Sequence, residues 1–274
     1  MRATLPSDLM RPSRWRPAAL CLLAMTLLVA PASAFAQGGP PLITDDPDTP
    51  GPGHWEINIP MILESSADGR HFDAPLADIN YGVGTRIQLK FEIPWVTVDS
   101  REQPAQTGIG NNVSGVKWRF LGGEGERFAW SIYPQLEVNT SASTAAKELV
   151  DQHAQLFFPT EFTVRIGRFE INTEVGRMFV HDGKDGWAAG VTTEIEIGRR
   201  LELLGELHTE RNGDLPVDDI VNIGARTGLS DKLWLLGGIG TGVNGGSPER
   251  LRLRIYVGIQ FNLPKQYRAD AAPQ

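Results

Sequence analysis

The stretch LRLRIYVGIQFNL, residues 251–263, decides the fold of this chain. Its apolar side chains stand at every second position, and the residues between them are mostly polar or small. This period of two is that of a β-strand with one face in an apolar medium. Strands of soluble domains typically have ~5–6 residues, whereas a tilted membrane strand needs ~9–11. The stretch therefore predicts a strand that crosses a membrane.

The same alternation recurs through most of the chain. Further runs lie at residues 55–63, 77–83, 87–95, 116–120, 128–138, 156–166, 169–175, 187–197, 201–207, 221–229 and 233–243. Short connections alternate with mostly longer, more polar ones, as at the periplasmic and external rims of bacterial outer-membrane barrels. The pattern predicts an all-β fold, a single antiparallel up-and-down transmembrane β-barrel of about 12 strands, over residues 54–263.

The segments on either side of the barrel have different compositions. Residues 1–36 combine four arginines, an apolar run and Ala34-Phe35-Ala36, which is the pattern of a cleaved signal peptide. Residues 37–53 are rich in Pro, Gly and Asp, and we expect them to form a periplasmic N-terminal segment. Residues 264–274 form a polar C-terminal tail. Export through a cleaved signal peptide, together with the predicted barrel, predicts that the mature protein lies in the bacterial outer membrane.

Charge and cysteine content exclude several classes of protein. Removal of residues 1–36 leaves 22 basic and 32 acidic side chains, a net charge of −10, which disfavours nucleic acid as a partner. The single cysteine, Cys21, lies inside the apolar leader, so the mature chain has no disulfide. No later stretch approaches 18 consecutive apolar residues, so a membrane can be crossed only by strands. No motif indicates a cofactor.

The polar positions of the strands are predicted to line the lumen, because lipid offers no hydrogen bonds to a charged side chain. So many charges need either water or a cross-barrel network of ion pairs, and the sequence leaves both interpretations open. The lumen-lining candidates are Glu56, Lys90, Glu92, Lys117, Arg119, Glu137, Glu161, Arg165, Glu170, Glu174, Glu194, Glu196, Glu206, His208, Glu210, Arg226, Arg252 and Arg254.

Four groups of residues could carry chemistry, and each has a simpler explanation. Glu206, His208 and Glu210 share a strand face, but one histidine among carboxylates is weak evidence for a metal. The acidic groups at 45–48 and 181–185 match no complete calcium loop and are typical of polar turns. Residues 240–245 match a dinucleotide glycine pattern, yet no helix pattern follows. We therefore predict no metal site and no catalytic residue.

The opening of the mature region resembles a known family. The stretch PPLITDDPDTPGPGHWEIN, residues 40–58, together with Gly108-Ile109-Gly110-Asn111 and the VKWRF run at 116–120, is similar to transporter-like outer-membrane proteins named after the meta-pathway of phenol degradation. The resemblance runs over the whole mature chain. It implies an outer-membrane channel, and some members lie near operons for aromatic catabolism. It carries no binding residues over to this chain.

These observations predict a passive outer-membrane channel or transporter for small solutes, such as aromatic compounds or small polar acids, and not an enzyme. Two alternatives remain: a barrel with an occluded lumen and a structural or surface-interaction role, and an outer-membrane enzyme acting on lipid. The expected partners are outer-membrane lipid, the barrel-assembly machinery during insertion, and a small-molecule solute that the sequence does not identify.

Overall fold

The computed structural model describes residues 39–101, 103–123, 125–147, 149–243 and 250–264. The predicted signal peptide and nearly all of the predicted C-terminal tail lie outside these residues. Within them, no helix is both long and apolar enough to cross a membrane. These described residues are almost entirely β-structure, with one short helix among them, α1 (Ala142–Ala145), in a connection between strands.

The β-structure comprises fourteen segments of antiparallel strand. Their bounds are β1 (Trp55–Ser65), β2 (Gly69–Val83), β3 (Ile87–Ser100), β4 (Gln106–Ile109), β5 (Asn112–Leu121), β6 (Phe128–Ile132), β7 (Gln135–Val138), β8 (Gln155–Ile166), β9 (Phe169–Val180), β10 (Gly186–Ile197), β11 (Leu201–Arg211), β12 (Asp218–Gly228), β13 (Leu233–Gly242) and β14 (Leu253–Leu263).

Two pairs of segments each form one interrupted barrel strand, so the barrel has twelve strands. Both β4 and β5 pair with β3, and they are separated only by Gly110 and Asn111. Both β6 and β7 pair with β5 and β8, and they are separated by Tyr133 and Pro134. Proline has no N–H group to donate to the ladder, which accounts for the break at Pro134.

The sheet closes on itself between its first and last strands. β1 pairs with β2 on one side and with β14 on the other, in continuous register from Trp55↔Leu263 to Ser65↔Leu253. Closure pairs the edges of the first and last strands with each other, as a strand structure in lipid requires. The predicted closed antiparallel barrel of about 12 strands is confirmed.

The outer wall is apolar and the inner wall is polar. Ile59, Leu89, Val116, Leu207 and Ile223 are among the many large apolar side chains that remain exposed on the outside. Their strand neighbours are buried and mostly polar or charged. An apolar outer band around a polar interior is typical of outer-membrane barrels and the reverse of a soluble protein.

The two rims differ in their connections. At one rim, which we call the short-turn rim, the links are 84–86, 122–127, 167–168, 198–200 and 229–232. β1 begins at this rim and β14 ends there. Gly84, Gly167 and Gly198 open three of these turns with φ values of 62, 63 and 73°, which L side chains rarely adopt. At the opposite rim, the loop rim, the longest link is 139–154 and contains α1.

Some connections at the loop rim are shorter than the sequence predicts. Residues 65–75 and 99–112 lie between the runs of apolar alternation, which predicts loops there, yet β2 begins at Gly69, β3 continues to Ser100, and β4 covers Gln106–Ile109. Beyond the lipid the apolar alternation is no longer needed, but the hydrogen-bond ladder can still continue. These strands therefore extend further than their hydrophobic pattern.

Candidate functional site

The candidate site is the barrel interior, where the structure places nearly all the predicted lumen residues. Ten of these side chains are buried: Lys117, Arg119, Glu161, Glu170, Glu174, Glu194, Glu206, His208, Arg226 and Arg254. Seven are half-buried on the same inward parity: Glu56, Lys90, Glu92, Glu137, Arg165, Glu196 and Glu210.

Arg252 is the exception, and its prediction as a lumen residue is wrong. It is exposed, whereas the preceding Leu251 is buried. Both residues precede β14, which begins at Leu253. Outside the regular ladder the strict alternation of faces no longer holds, because pairing with neighbouring strands is what keeps the backbone in its pleated conformation.

The interior also contains residues 39–54, which we call the luminal segment. The composition of residues 37–53 predicts a periplasmic segment ahead of the barrel. In the structure, however, Leu42, Thr44, Asp46 and Asp48 of this stretch are buried. The segment contacts inward side chains or glycines of eight strand segments: β2, β5, β8, β10, β11, β12, β13 and β14. Its assignment outside the barrel is therefore wrong for the described residues.

Acidic side chains of the luminal segment pair with basic side chains of the wall. Arg119 Nη1 donates to Asp48 Oδ1 at 2.7 Å, and Arg165 Nη2 donates to Asp48 Oδ2 at 2.6 Å. Lys117 Nζ lies 3.1 Å from Asp45 Oδ1 and also donates to the backbone oxygen of Asp46. Charge-assisted contacts of this kind are among the stronger hydrogen bonds in proteins.

Backbone groups of the luminal segment are bound as well. Arg226 Nε donates to Pro40 O at 2.7 Å, and Arg254 Nη1 donates to Pro41 O at 3.1 Å. The segment also binds an acidic side chain, since the N–H of Thr44 donates to the Glu206 carboxylate at 2.6 Å. Five basic side chains of the wall therefore bind the luminal segment, and the Glu206 carboxylate accepts from its backbone N–H groups.

Two wall glycines make room for the luminal segment. A Cβ atom at Gly190 in β10 would overlap Thr44 Oγ1, and one at Gly82 in β2 would overlap the backbone oxygen of Gly51. Gly82 also exchanges backbone hydrogen bonds with Gly53 and His54 at 2.8 and 3.0 Å. Glycine at these positions allows the segment to approach the wall backbone closely.

Several of the remaining wall charges pair with one another, although acidic side chains are in excess. Lys90 Nζ is 2.8 Å from Glu92 Oε2 and 3.9 Å from Asp78 Oδ1. Glu161 accepts from Ser131 Oγ at 2.5 Å and lies 3.5 Å from Lys117 Nζ. Arg226 lies within 3.5 Å of both Glu194 and Glu202. A cross-barrel ion-pair network is therefore present, one of the two interpretations left open by the sequence.

Two larger cavities lie on the loop-rim side, and a small one lies near the short-turn rim. The first, ≈ 660 Å³, combines apolar Phe157 and Met178 with charged Glu137 and Lys184. The second, ≈ 520 Å³, is lined by Glu64, Arg254 and Ile43 of the luminal segment among others. The third, ≈ 30 Å³, lies beside Pro40 and Asp45. The luminal segment thus borders cavities on both sides.

The clusters considered for metal binding have other contacts. No group of three or more His, Cys, Asp or Glu side chains in the described part of the chain is arranged to hold a metal ion. Glu206 binds the luminal segment, and His208 lies 3.4 Å from both Thr44 Oγ1 and Glu210 Oε2. At the loop rim, the hydrogen bond from Arg177 lowers the pKa of Asp185.

Some interior residues have no counterpart in the sequence-based list. Asn58, Asn80, Gln88, Asn172 and Asn222 are buried and link the charged groups, as where Asn172 Nδ2 donates to Glu194 Oε1 at 3.0 Å. Tyr133, fully buried, lies next to Lys117 and accepts from Gln88. Their inward parity is visible in the sequence, but a search restricted to charged residues omits them.

Comparison with known proteins supports the fold. No protein-family model matches the chain, and neither does any curated protein sequence. Among solved structures, the chain is similar to an outer-membrane channel from Pseudomonas putida F1, with a TM-score of 0.66 at 10% identity over 86% of this chain and 100% of that one. It is also similar to the KdgM porin, with a TM-score of 0.53 at 12% identity over 75% and 98% of the two chains. At such low identity these similarities show an outer-membrane β-barrel fold.

Proposed function

We propose that this protein is a passive channel for small solutes in the bacterial outer membrane, and that its luminal segment restricts the bore. The observation that carries the proposal is a closed barrel with a charged interior and cavities of ≈ 660 and ≈ 520 Å³ on the loop-rim side. Charged side chains on the inner wall of a barrel contact water and polar solutes, whereas side chains that contact lipid are apolar.

The luminal charges support a preference for cations. Acidic groups outnumber basic ones among the inward side chains listed above, and the basic groups Lys117, Arg119 and Arg165 already pair with aspartates of the luminal segment. A pore lined by uncompensated carboxylates favours cations in the same way as the acidic rings of cation channels.

The solute class follows from the larger cavity. Phe157, Met178 and Val180 offer an apolar surface there, and Glu137, Lys184 and Gln155 offer polar groups beside it. Such a mixture suits a small amphipathic molecule, and the aromatic compounds expected from the sequence belong to this class. The excess of luminal carboxylates disfavours the small polar acids that the sequence also allows, because these acids are anions. Membership of the phenol-degradation family is part of the same proposal, and it rests on the resemblance of residues 40–58, 108–111 and 116–120.

Planar-bilayer recording of the purified protein tests the proposal. We expect discrete conductance steps, with a reversal potential displaced toward that of the cation under a salt gradient. A deletion of residues 39–48 should raise the step size, because it removes the buried part of the luminal segment. An inserted barrel that stays electrically silent with and without residues 39–48 would refute the channel.

The occluded barrel with a structural role is the second candidate. It is favoured by the number of contacts that hold the luminal segment, since five basic wall residues bind it. Recording separates the two candidates: a silent wild type together with a conducting deletion variant favours the occluded barrel. Absence of an enzymatic activity stays a prediction. Ser131, an inward serine, is buried and hydrogen-bonded to Glu161, which offers no exposed nucleophile at that position.

A further inference from the structure

The two rims of the barrel carry opposite charge. The five connections of the short-turn rim contain six basic and three acidic residues, a net charge of +3. The six connections of the loop rim contain five basic and eight acidic residues, a net charge of −3. Since the whole chain is acidic, with a formal net charge of −7, the positive rim is a local departure from its composition.

The basic residues of the short-turn rim form a ring of exposed side chains. Every one of its five turns contributes at least one of them: Arg86, Arg127, Arg168, Arg199, Arg200 and Lys232. Three of these arginines donate to a backbone oxygen of a neighbouring strand end or turn: Arg86 to Phe120 in β5, Arg168 to Glu196 in β10, and Arg200 to Leu229. These bonds hold the guanidinium groups around the rim and use only part of their five N–H donors.

Two of the basic side chains are available for other partners. Arg199 is exposed, and no hydrogen bond or ion pair of the Arg199 side chain is found among the described residues. The same holds for the ammonium group of Lys232 within the described part of the chain. Arg127 has its guanidinium carbon 5.3 Å from the ring centroid of Phe128. Arg200 is the one member of the ring with an ion pair among the described residues, to Asp231 at 3.3 Å. Most of the positive charge of the ring is therefore not neutralised by the described part of the protein.

Aromatic side chains lie directly above this ring on the outer wall. Trp118, Phe120, Trp130, Phe162 and Phe128 form a chain of ring contacts, with successive centroids 5.3 to 6.3 Å apart. Trp55 and Phe169 lie at other strand ends of the same rim and are exposed. Aromatic rings of barrel proteins occupy the level of the lipid headgroups, so the basic ring lies at the height of the phosphates.

We propose that the short-turn rim binds the phosphate groups of anionic phospholipids in the leaflet that faces the periplasm. Short turns are periplasmic in outer-membrane barrels, and guanidinium groups match phosphate geometry with paired N–H donors. The acidic loop rim lacks this complementarity. The bound lipid would connect neighbouring parts of the rim, because Arg86, Arg168 and Arg200 already reach from their own turns to the next strand end or turn.

Native mass spectrometry of the full protein, exchanged into mixed phosphatidylglycerol and phosphatidylcholine, tests the proposal. We expect wild type to retain phosphatidylglycerol in preference to phosphatidylcholine. The triple variant R168Q/R199Q/R200Q should lose at least tenfold of that preference, since each basic group near an anionic membrane surface contributes a factor of about five. The matched control R70Q/R101Q/R211Q removes three exposed arginines near the loop rim and should retain the preference.

A charge-preserving variant keeps the test decisive if the glutamine triple fails to fold. R168K/R199K/R200K retains three positive charges and should keep most of the preference for phosphatidylglycerol, although without paired donors. Folding of each variant is checked by heat-modifiable migration in gels. An equal loss in the two glutamine triples would overturn the proposal in favour of general surface charge. Unchanged retention in R168Q/R199Q/R200Q would overturn it as well.

Discussion

Asp48 is the residue through which the docking of the luminal segment can be measured. Its carboxylate accepts from Arg119 at 2.7 Å and from Arg165 at 2.6 Å, and it is 5% exposed. A hydrogen bond to a charged partner contributes ~1.5–3 kcal/mol, and removing one member of a buried ion pair costs ~3–5 kcal/mol. We take ~3 kcal/mol as the loss of docking free energy in Asp48→Asn. That value corresponds to a factor of about 150 in the docking equilibrium.

The assay is the rate at which a thiol on the luminal segment reacts with a maleimide. Thr44 is fully buried, so Thr44→Cys places the thiol where only an undocked segment exposes it. If undocking is rapid compared with labelling, Asp48→Asn should increase the labelling rate about 150-fold. The same chain without the introduced thiol gives the background from Cys21 in unprocessed protein.

The control removes an ion pair that does not involve the luminal segment. Asp185→Asn breaks the exposed contact between Asp185 and Arg177, 3.2 Å apart, and such exposed ion pairs contribute little because solvent screens them. Labelling of Thr44→Cys should therefore stay within about fivefold of its starting rate in this control. If Asp48→Asn changes labelling no more than Asp185→Asn does, the segment is not held by its charges, and the reasoning is refuted.

Three further predictions follow from the same geometry. Gly190→Ala places a methyl group against Thr44 and should increase both thiol labelling and single-channel conductance; unchanged values would show that the wall does not fit the segment closely. Leu207 is 65% exposed in the middle of β11, and Leu207→Lys should lower the free energy of unfolding in lipid vesicles by ~2–4 kcal/mol. The control Leu215→Lys, in a loop, should change the free energy of unfolding by less than about 0.5 kcal/mol. Because the contacts of Asp48 are buried, raising salt from about 0.1 to about 1 M should increase labelling less than about threefold, and a tenfold increase would indicate a solvated segment.

The barrel itself could be predicted from sequence because lipid imposes a simple rule. A membrane strand must present an apolar side chain at every second position, and the run from Leu253 to Leu263 does so without exception. Strand ends were predicted less well, because the rule applies only within the hydrocarbon. β2 and β3 extend past it into residues that the pattern assigned to loops.

The luminal segment was missed because its location depends on contacts between distant parts of the chain. Asp48 and Arg165 are 117 residues apart, and no local pattern relates them. One signal was nevertheless present: three aspartates at 45, 46 and 48 precede a barrel whose inward parity contains Lys117, Arg119 and Arg165. Complementary charge between a terminal segment and a predicted lumen is a pattern that can be searched for in other sequences.

Closure of the barrel has a consequence for the order of assembly. Pro41 is bound by Arg254 of the last strand, while Asp48 is bound by Arg119 of β5 and Arg165 of β8. The docking site for the luminal segment is therefore complete only after β14 has joined β1. Docking must therefore be a late event, following insertion. Until docking occurs, the luminal segment does not restrict the bore of the newly closed barrel. The outer membrane is therefore expected to be briefly more permeable each time a copy of the protein is inserted.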